Sequence, residues 1–235
     1  MLSDLKQYLN SKYGIVLSEN EILLHLLWAD DLIFISDSEE GLQSQFDGLG
    51  NFTDINQMIV NSLKTKVVIF GKKPDKEIFT YKGNTIEIVN SYKYLGVIFN
   101  SILRKDGNVF KEMGTYIADK ALRSSFVNLK KFSTLGRITP KIALQIFDTC
   151  VLPIIEYSNG VWGETYQLDC VEKVHINFLK MTLGVKKSTP NLAVYGELGR
   201  FPLYLRNIIN IIKYWFRIQS LPNENIVKLC NEFKY

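Results

Sequence analysis

Two adjacent carboxylates, Asp30 and Asp31, stand between the apolar runs Leu26-Leu27-Trp28-Ala29 and Leu32-Ile33-Phe34-Ile35. Apolar runs of that length around a polar pair read as two buried strands joined by a tight turn. Taking a carboxylate out of water costs several kcal/mol even after relaxation, so a buried pair at a hairpin tip demands a cation. An all-oxygen donor set favours Mg²⁺ or Mn²⁺. Asp is also a common turn residue, because it tolerates turn backbones and bonds its own neighbours. The dipeptide alone therefore does not separate a metal site from an ordinary turn.

The elements that must hold this pair can be read on either side of it. Residues 1–20 suggest a short amphipathic helix with Leu2, Leu5, Tyr8 and Leu9 on one side, then a loop at Gly14. A first strand is expected from Ile22 to Trp28 and a second from Leu32 to Ile35. Ser38 is placed to cap a helix whose first turn carries Glu39 and Glu40, where the helix dipole favours anions. Leu42, Phe46, Leu49 and Phe52 follow at helical spacing, so this helix should lie on the sheet that carries the Asp pair.

Further along, a strand from Val67 to Phe70 should end at Gly71-Lys72-Lys73-Pro74. A hairpin is expected from Ile78 to Tyr81 and Ile86 to Val89 around Gly83-Asn84. One strand should run from Tyr92 to Phe99 and contain Tyr94-Leu95-Gly96. The pattern then turns helical, over about 107–132, 139–151, 167–183, 190–198, 202–219 and 223–233. Pro140 and Pro190 fall in first helical turns, Pro153 should stop a helix, and Gly184 fits a C-cap. Leu203, Ile208, Ile211, Ile212, Trp215 and Ile218 are expected to be the core face of the long helix. Strands first and helices second argue for an α+β domain joined near residues 100–106 to a helical one.

Composition narrows the functional classes. At 235 residues and 46% apolar content the chain has the makings of a globular core and not of a disordered tail. Cys150, Cys170 and Cys230 lie far apart, and neither His25 nor His175 is spaced to join them in a zinc site, so both histidines read as structural. Small core cysteines in a reducing, intracellular compartment are the expectation. The start of the chain lacks a signal-peptide layout, and Leu203 to Ile218 carries too many polar residues for a membrane span. Net charge is uneven: residues 1–60 hold two Lys/Arg against ten Asp/Glu, residues 61–140 hold fifteen against six, and the rest eleven against eight. A basic middle after an acidic start suits a polyanion held near a metal, and it also suits an ordinary solvated Lys-rich face.

Several motifs in order carry a family resemblance. Trp28-Ala29-Asp30-Asp31 resembles the aromatic-x-Asp-Asp box of reverse transcriptases, with Trp28 where Tyr or Phe is usual. Asn61-Ser62-Leu63-Lys64-Thr65-Lys66 is similar to the Asn-x-x-Lys-Thr motif of the LINE-type, non-LTR retrotransposon branch. Ser91-Tyr92-Lys93-Tyr94-Leu95-Gly96-Val97 is similar to its Tyr-Leu-Gly primer grip. Ile146-Phe147-Asp148, Val151-Leu152-Pro153, Tyr157, Trp162-Gly163, Leu183-Gly184-Val185 and Thr189-Pro190-Asn191 resemble the helical region that follows the palm.

The resemblance implies an α+β fold: a partial polymerase palm over residues 1–104, with an antiparallel sheet and packing helix, then an all-helical, thumb-like region over 105–235. It implies RNA-directed DNA polymerase chemistry with Mg²⁺ (or Mn²⁺), an RNA template and a DNA primer as partners. By that resemblance Asp30 and Asp31 are the metal-binding catalytic carboxylates and Lys64 is a general acid or charge partner for pyrophosphate. Trp28, Lys66, Tyr94, Leu95 and Gly96 are the primer and nucleic-acid contacts. Such a site also needs a carboxylate from an upstream strand, and only 29 residues precede Asp30. The expectation is a truncated enzyme, inactive without its upstream polymerase half. The alternative is a non-catalytic nucleic-acid-binding or scaffold module derived from such an element.

Overall fold

The computed structural model describes residues 2–18, 21–71, 78–101, 108–134, 138–163 and 168–232. The expected strand stop at Lys72-Lys73-Pro74 and most of the expected join at 100–106 lie outside these residues. The fold is mixed α+β and mainly helical, with small sheets. The chain divides into two compact units. The first comprises residues 1–92, 101–107 and 221–235; the second comprises residues 93–100 and 108–220.

The first unit opens with a short helix of 3₁₀ form, Leu2–Tyr8, in the stretch where an amphipathic helix was expected, and Leu5, Tyr8 and Leu9 lie on the core. Two hairpins follow: β1 (Ile15–Ser18) with β2 (Glu21–Leu23), and β3 (His25–Trp28) with β4 (Asp31–Phe34). The strand expected from Ile22 to Trp28 is thus divided at Leu24. Its first part turns back to pair with β1, a strand too short to show periodicity, and Leu24 accepts a hydrogen bond from the Ile35 amide at 3.0 Å. Helix α1 (Glu39–Ile55) starts where Ser38 places it, the Ser38 hydroxyl accepting from the Gly41 amide at 3.2 Å.

A three-stranded sheet completes the unit. Strand β5 (Lys66–Val67) runs parallel to β7 (Asn84–Ile88), and β6 (Phe79–Tyr81) pairs antiparallel on the other side. The hairpin turn is Lys82-Gly83, one residue before the expected pair, with φ of 47° and 77°. The Gln43 side chain of α1 bonds both backbone groups of Thr80, so the helix supplies partners that the outer edge of β6 would otherwise lack. Phe46, Leu49 and Phe52 of α1 share a core with Leu5, Leu24 and Ile86, as their spacing predicts.

Strands β8 (Ser91–Tyr94) and β9 (Val97–Asn100) form a separate hairpin. A single strand from Tyr92 to Phe99 was expected. Leu95 and Gly96 instead take φ of 45° and 82°. Positive φ at both central residues is the two-residue turn that matches strand twist.

The second unit is built from α2 (Met113–Ser133), α3 (Pro140–Ile146), α4 (Leu152–Ile155), α5 (Asn159–Trp162), α6 (Leu168–Leu183), α7 (Asn191–Leu198) and α8 (Leu203–Gln219). Helix α9 (Ile226–Glu232) belongs to the first unit. Met113, Ile117, Phe147, Trp162, Phe178 and Leu179 lie in the core of the second unit. Pro153 does not stop a helix. A π-helical turn, Phe147–Val151, precedes it, and Pro153 enters α4 in its first turn. A proline in a continuous α-helix would meet the carbonyl four residues back, whereas the wider π turn relieves that clash. Arg200 forks onto Asp148 in this turn with two bonds of 2.7 Å.

Helix α8 corrects the expectation for its core face. Leu203 and Ile218 are buried, but Ile208, Ile212 and Trp215 are 47%, 48% and 50% exposed. Asn207 is buried instead, its side-chain N–H donating to the Gly163 carbonyl at 2.7 Å, and Asn210 bonds Glu156 at 3.2 Å. The cysteines were expected in the core; Cys150 and Cys170 are half-buried against it, and Cys230 is exposed. No helix of the described residues is long and apolar enough to cross a membrane.

The start of α8 rests on Glu172. This carboxylate accepts from the Tyr195 hydroxyl at 2.6 Å, from buried His175 at 3.1 Å and from the Leu203 amide at 2.6 Å, an N-terminal donor with no partner inside its own helix. Burial pushes the Glu172 carboxyl up, but the bonds from His175, Tyr195 and Leu203 outweigh it and hold it below its ordinary value. Burial and the same carboxylate push the Tyr195 hydroxyl up. The unfolded chain therefore binds the Glu172 proton more tightly than the folded chain. The stability it contributes is present above the ordinary carboxylate value and is lost as pH falls through the lowered one. Glu172→Gln is expected to cost on the order of 1–3 kcal/mol near neutral pH and to flatten the acid limb of stability against pH. Urea denaturation of both proteins across the acid range checks this, and equal acid limbs would refute it.

Candidate functional site

The Asp pair sits at the tip of the β3–β4 hairpin. Trp28 pairs with Asp31, leaving Ala29-Asp30 as a two-residue turn. Ala29 takes φ of 55°, a conformation that costs an L-residue about 1 kcal/mol or more. The strands were expected to be buried. The hairpin packs through β4, where Leu32 next to the tip and Phe34 near the base lie on the core, and through buried Leu24 just before β3. Toward the tip Leu26, Leu27, Asp30 and Asp31 are exposed, and Trp28 is 68% exposed. Both carboxylates are exposed, so the desolvation cost that would demand a cation is absent. Among the described residues no three His, Cys, Asp or Glu side chains gather as a metal site. The pair fits one hydrated Mg²⁺ ion, which keeps several waters and uses one or two carboxylates. Among the described residues no further carboxylate gathers with it to hold a second ion.

His25, at the base of this hairpin opposite Phe34, has a buried Nδ1 without a hydrogen-bond partner. Burial, and then the charge of Lys6, pushes its imidazole below the ordinary value, which keeps the ring neutral at physiological pH.

The Asn61–Thr65 segment is a turn organised by Asn61. Its side-chain oxygen and its carbonyl both accept from the Lys64 amide at 3.1 Å, and the carbonyl also accepts from the Thr65 amide and hydroxyl. The Tyr92 hydroxyl donates to the Lys64 carbonyl at 3.2 Å. These bonds hold the Lys64 backbone and leave its side chain exposed. Lys66 is engaged differently: its ammonium pairs with Glu87 across the parallel strands β5 and β7 at 2.6 Å. Among the described residues no hydrogen bond or ion pair joins Asp30 or Asp31 to Lys64 or Lys66.

Tyr94, Leu95 and Gly96 lie in the second unit, in the β8–β9 turn. The Tyr157 hydroxyl donates to the Leu95 carbonyl at 2.6 Å. A Cβ at Gly96 would stand 3.0 Å from the Tyr157 ring, at a φ that L-residues rarely adopt. Glycine is thus required by the turn and by the ring against it. The Tyr157 carbonyl in turn accepts from the indole N–H of fully buried Trp162 at 2.8 Å, which ties the turn to the helical core. Sequence reasoning picked out Tyr94-Leu95-Gly96 but not Tyr157 as its clamp. The two are 62 positions apart, and no local spacing links them.

The second unit also holds an open cleft of about 400 Å³ lined by residues that include Glu156, Asn210, Lys213, Tyr214 and Arg217. None of its lining residues was among the sequence candidates. In comparisons with models of known protein families, with curated proteins and with solved structures, nothing matches the chain.

Gly96→Ala is expected to cost about 1–3 kcal/mol, from the positive φ and the crowded Cβ together. Tyr157→Phe should cost about 1 kcal/mol through the lost hydrogen bond. Thermal or urea unfolding measures both; a neutral Gly96→Ala would show that the clamped turn is not as described.

Proposed function

We propose that the chain is the C-terminal part of the polymerase region of a LINE-type, non-LTR retrotransposon reverse transcriptase, which holds template and primer but does not polymerise by itself. The observation that carries this reading is the tight hairpin that presents Asp30 and Asp31 to solvent beside exposed Trp28. The order of motifs that follows the pair supports it.

In this reading Asp30 and Asp31 would hold a Mg²⁺ or Mn²⁺ ion. Such an ion, when bound, supplies positive charge at the transferred phosphate and lowers the pKa of a primer hydroxyl. Lys64, exposed on its Asn61-braced turn, supplies a cation for the leaving phosphates. Leu95 and Gly96, fixed by Tyr157, present a rigid turn to the primer backbone. No third carboxylate gathers with Asp30 and Asp31 among the described residues, so no complete polymerisation site is assigned to this chain.

A second reading, a nucleic-acid-binding module without catalysis, is favoured by the cleft that carries Lys213, Tyr214 and Arg217. Lys213 and Arg217 stand one helical turn apart, about 6 Å, which matches the spacing of successive phosphates. Tyr214 offers a ring on which a base can stack.

The purified chain is expected to show no Mg²⁺-dependent extension of a DNA primer annealed to an RNA template. Extension that Asp30→Ala abolishes would overturn the inactivity. The same template–primer, carrying a fluorescent label, is expected to bind at low salt. Its affinity should fall with a log–log slope of about −0.9 for each phosphate contact. Absence of binding at low salt would overturn both readings. Lys213→Glu with Arg217→Glu should reduce the slope by about two contacts if the cleft carries the backbone, and an unchanged slope would remove the cleft from the interface.

A further inference from the structure

Helix α8 is turned with its polar residues inward and its apolar residues outward. Asn207, Asn210 and Tyr214 face α5 and its surroundings, and Asn207 and Asn210 are hydrogen-bonded there. Leu205, Ile208, Ile209, Ile212, Trp215 and Phe216 are all exposed. A soluble helix ordinarily buries such a stripe. Here the stripe runs the length of the helix without a charged residue in it.

The spacing of the stripe points to what covers it. Leu205, Ile208, Ile212, Trp215 and Gln219 follow one another by three, four, three and four residues. That alternation keeps one seam facing another helix, with Ile209 and Phe216 widening it on one side. Half-exposed side chains of these sizes offer on the order of 700 Å² per chain, close to the roughly 800 Å² per partner of a standard stable interface. An apolar patch of that size exceeds what monomers ordinarily leave in water, about 300–600 Å².

We propose that the outward face of α8 pairs with the same face of a second copy of this chain, giving a two-fold helix–helix dimer. The seam is complementary to itself: apolar along its length, with aromatic residues toward one end and aliphatic residues toward the other. Charge selects the direction of pairing. All three charged residues of α8 are basic and lie along one edge of the stripe, Arg206 paired with Glu156 of its own chain and Lys213 and Arg217 beyond it, while Tyr204 and Ile211 lie along the other edge. Two-fold antiparallel pairing sets the two basic edges side by side. Parallel pairing sets each basic edge beside the partner's Tyr204–Ile211 edge, so the helices run parallel.

Sedimentation of the full chain over about 1–50 µM, a range in which a standard-size interface of good packing is populated, tests the proposal. The expected mass is twice 27.1 kDa. Ile212→Glu and Trp215→Glu each weaken the dimer about 30-fold or more, the effect of removing a central interface residue. Both positions are exposed in the single chain, so far-ultraviolet circular dichroism should be unchanged. Leu205→Cys, in a chain also carrying Cys230→Ser, should cross-link to itself on oxidation only when the helices run parallel. A chain that stays at 27.1 kDa throughout, or a dimer that both glutamates leave intact, overturns the proposal. A dimer that the glutamates dissociate but that Leu205→Cys does not cross-link overturns the parallel arrangement.

Discussion

The close approach of α5 to α8 sets the arrangement of the helical unit. At Gly163 a Cβ would lie 2.3 Å from the Asn159 carbonyl and 2.4 Å from the Asn207 side chain, so only glycine admits the contact. With the backbones that near, Asn207 reaches the Gly163 carbonyl, and Glu156 gathers Asn210 and Arg206. A buried amide must keep its hydrogen bond or lose on the order of 1–3 kcal/mol. The helix therefore cannot rotate to bury its isoleucines without abandoning Asn207. One glycine and one asparagine thus fix the rotation of α8 about its axis, and the aromatic and aliphatic side chains point away as a result.

Water governs the Asp30-Asp31 tip in a comparable way. Carboxylates in solvent carry no desolvation penalty. The hairpin needs no ion to exist. What constrains it is backbone geometry, since Ala29 takes a positive φ so that Trp28 and Asp31 can pair across two residues. The site is thus a shaped display of charge on a strained turn, and the functional reading rests on which residues are displayed and on the motifs that accompany them.

Much of the fold was legible in the sequence because local chemistry decides local structure. Ser38 began α1, Phe46, Leu49 and Phe52 faced its core, and the helices over 168–183, 191–198 and 203–219 fell where periodicity and proline placed them. Tight turns were harder to read. The Leu95-Gly96 turn lies inside an apolar run that reads equally well as one strand, and only its φ values distinguish the two. Apolar periodicity located α8 but misjudged its inward face, because an asparagine paired with a distant carbonyl looks from sequence like a solvent residue. The candidate site was legible as a set of residue types. Its exposure was not, since a hairpin that packs through one strand and bares the other carries the same apolar pattern as one buried throughout.

The first unit is discontinuous in sequence: residues 221–235, with α9, belong with residues 1–92, and the helical unit is inserted between them. On the ribosome the N-terminal hairpins and α1 emerge early, yet the segment that completes their unit is made only after the whole helical insert. The helical unit has its own core and is nearly contiguous, so it can assemble while the first unit still waits for its closing segment. The last helix to be made thus packs on β1, the first strand of the chain.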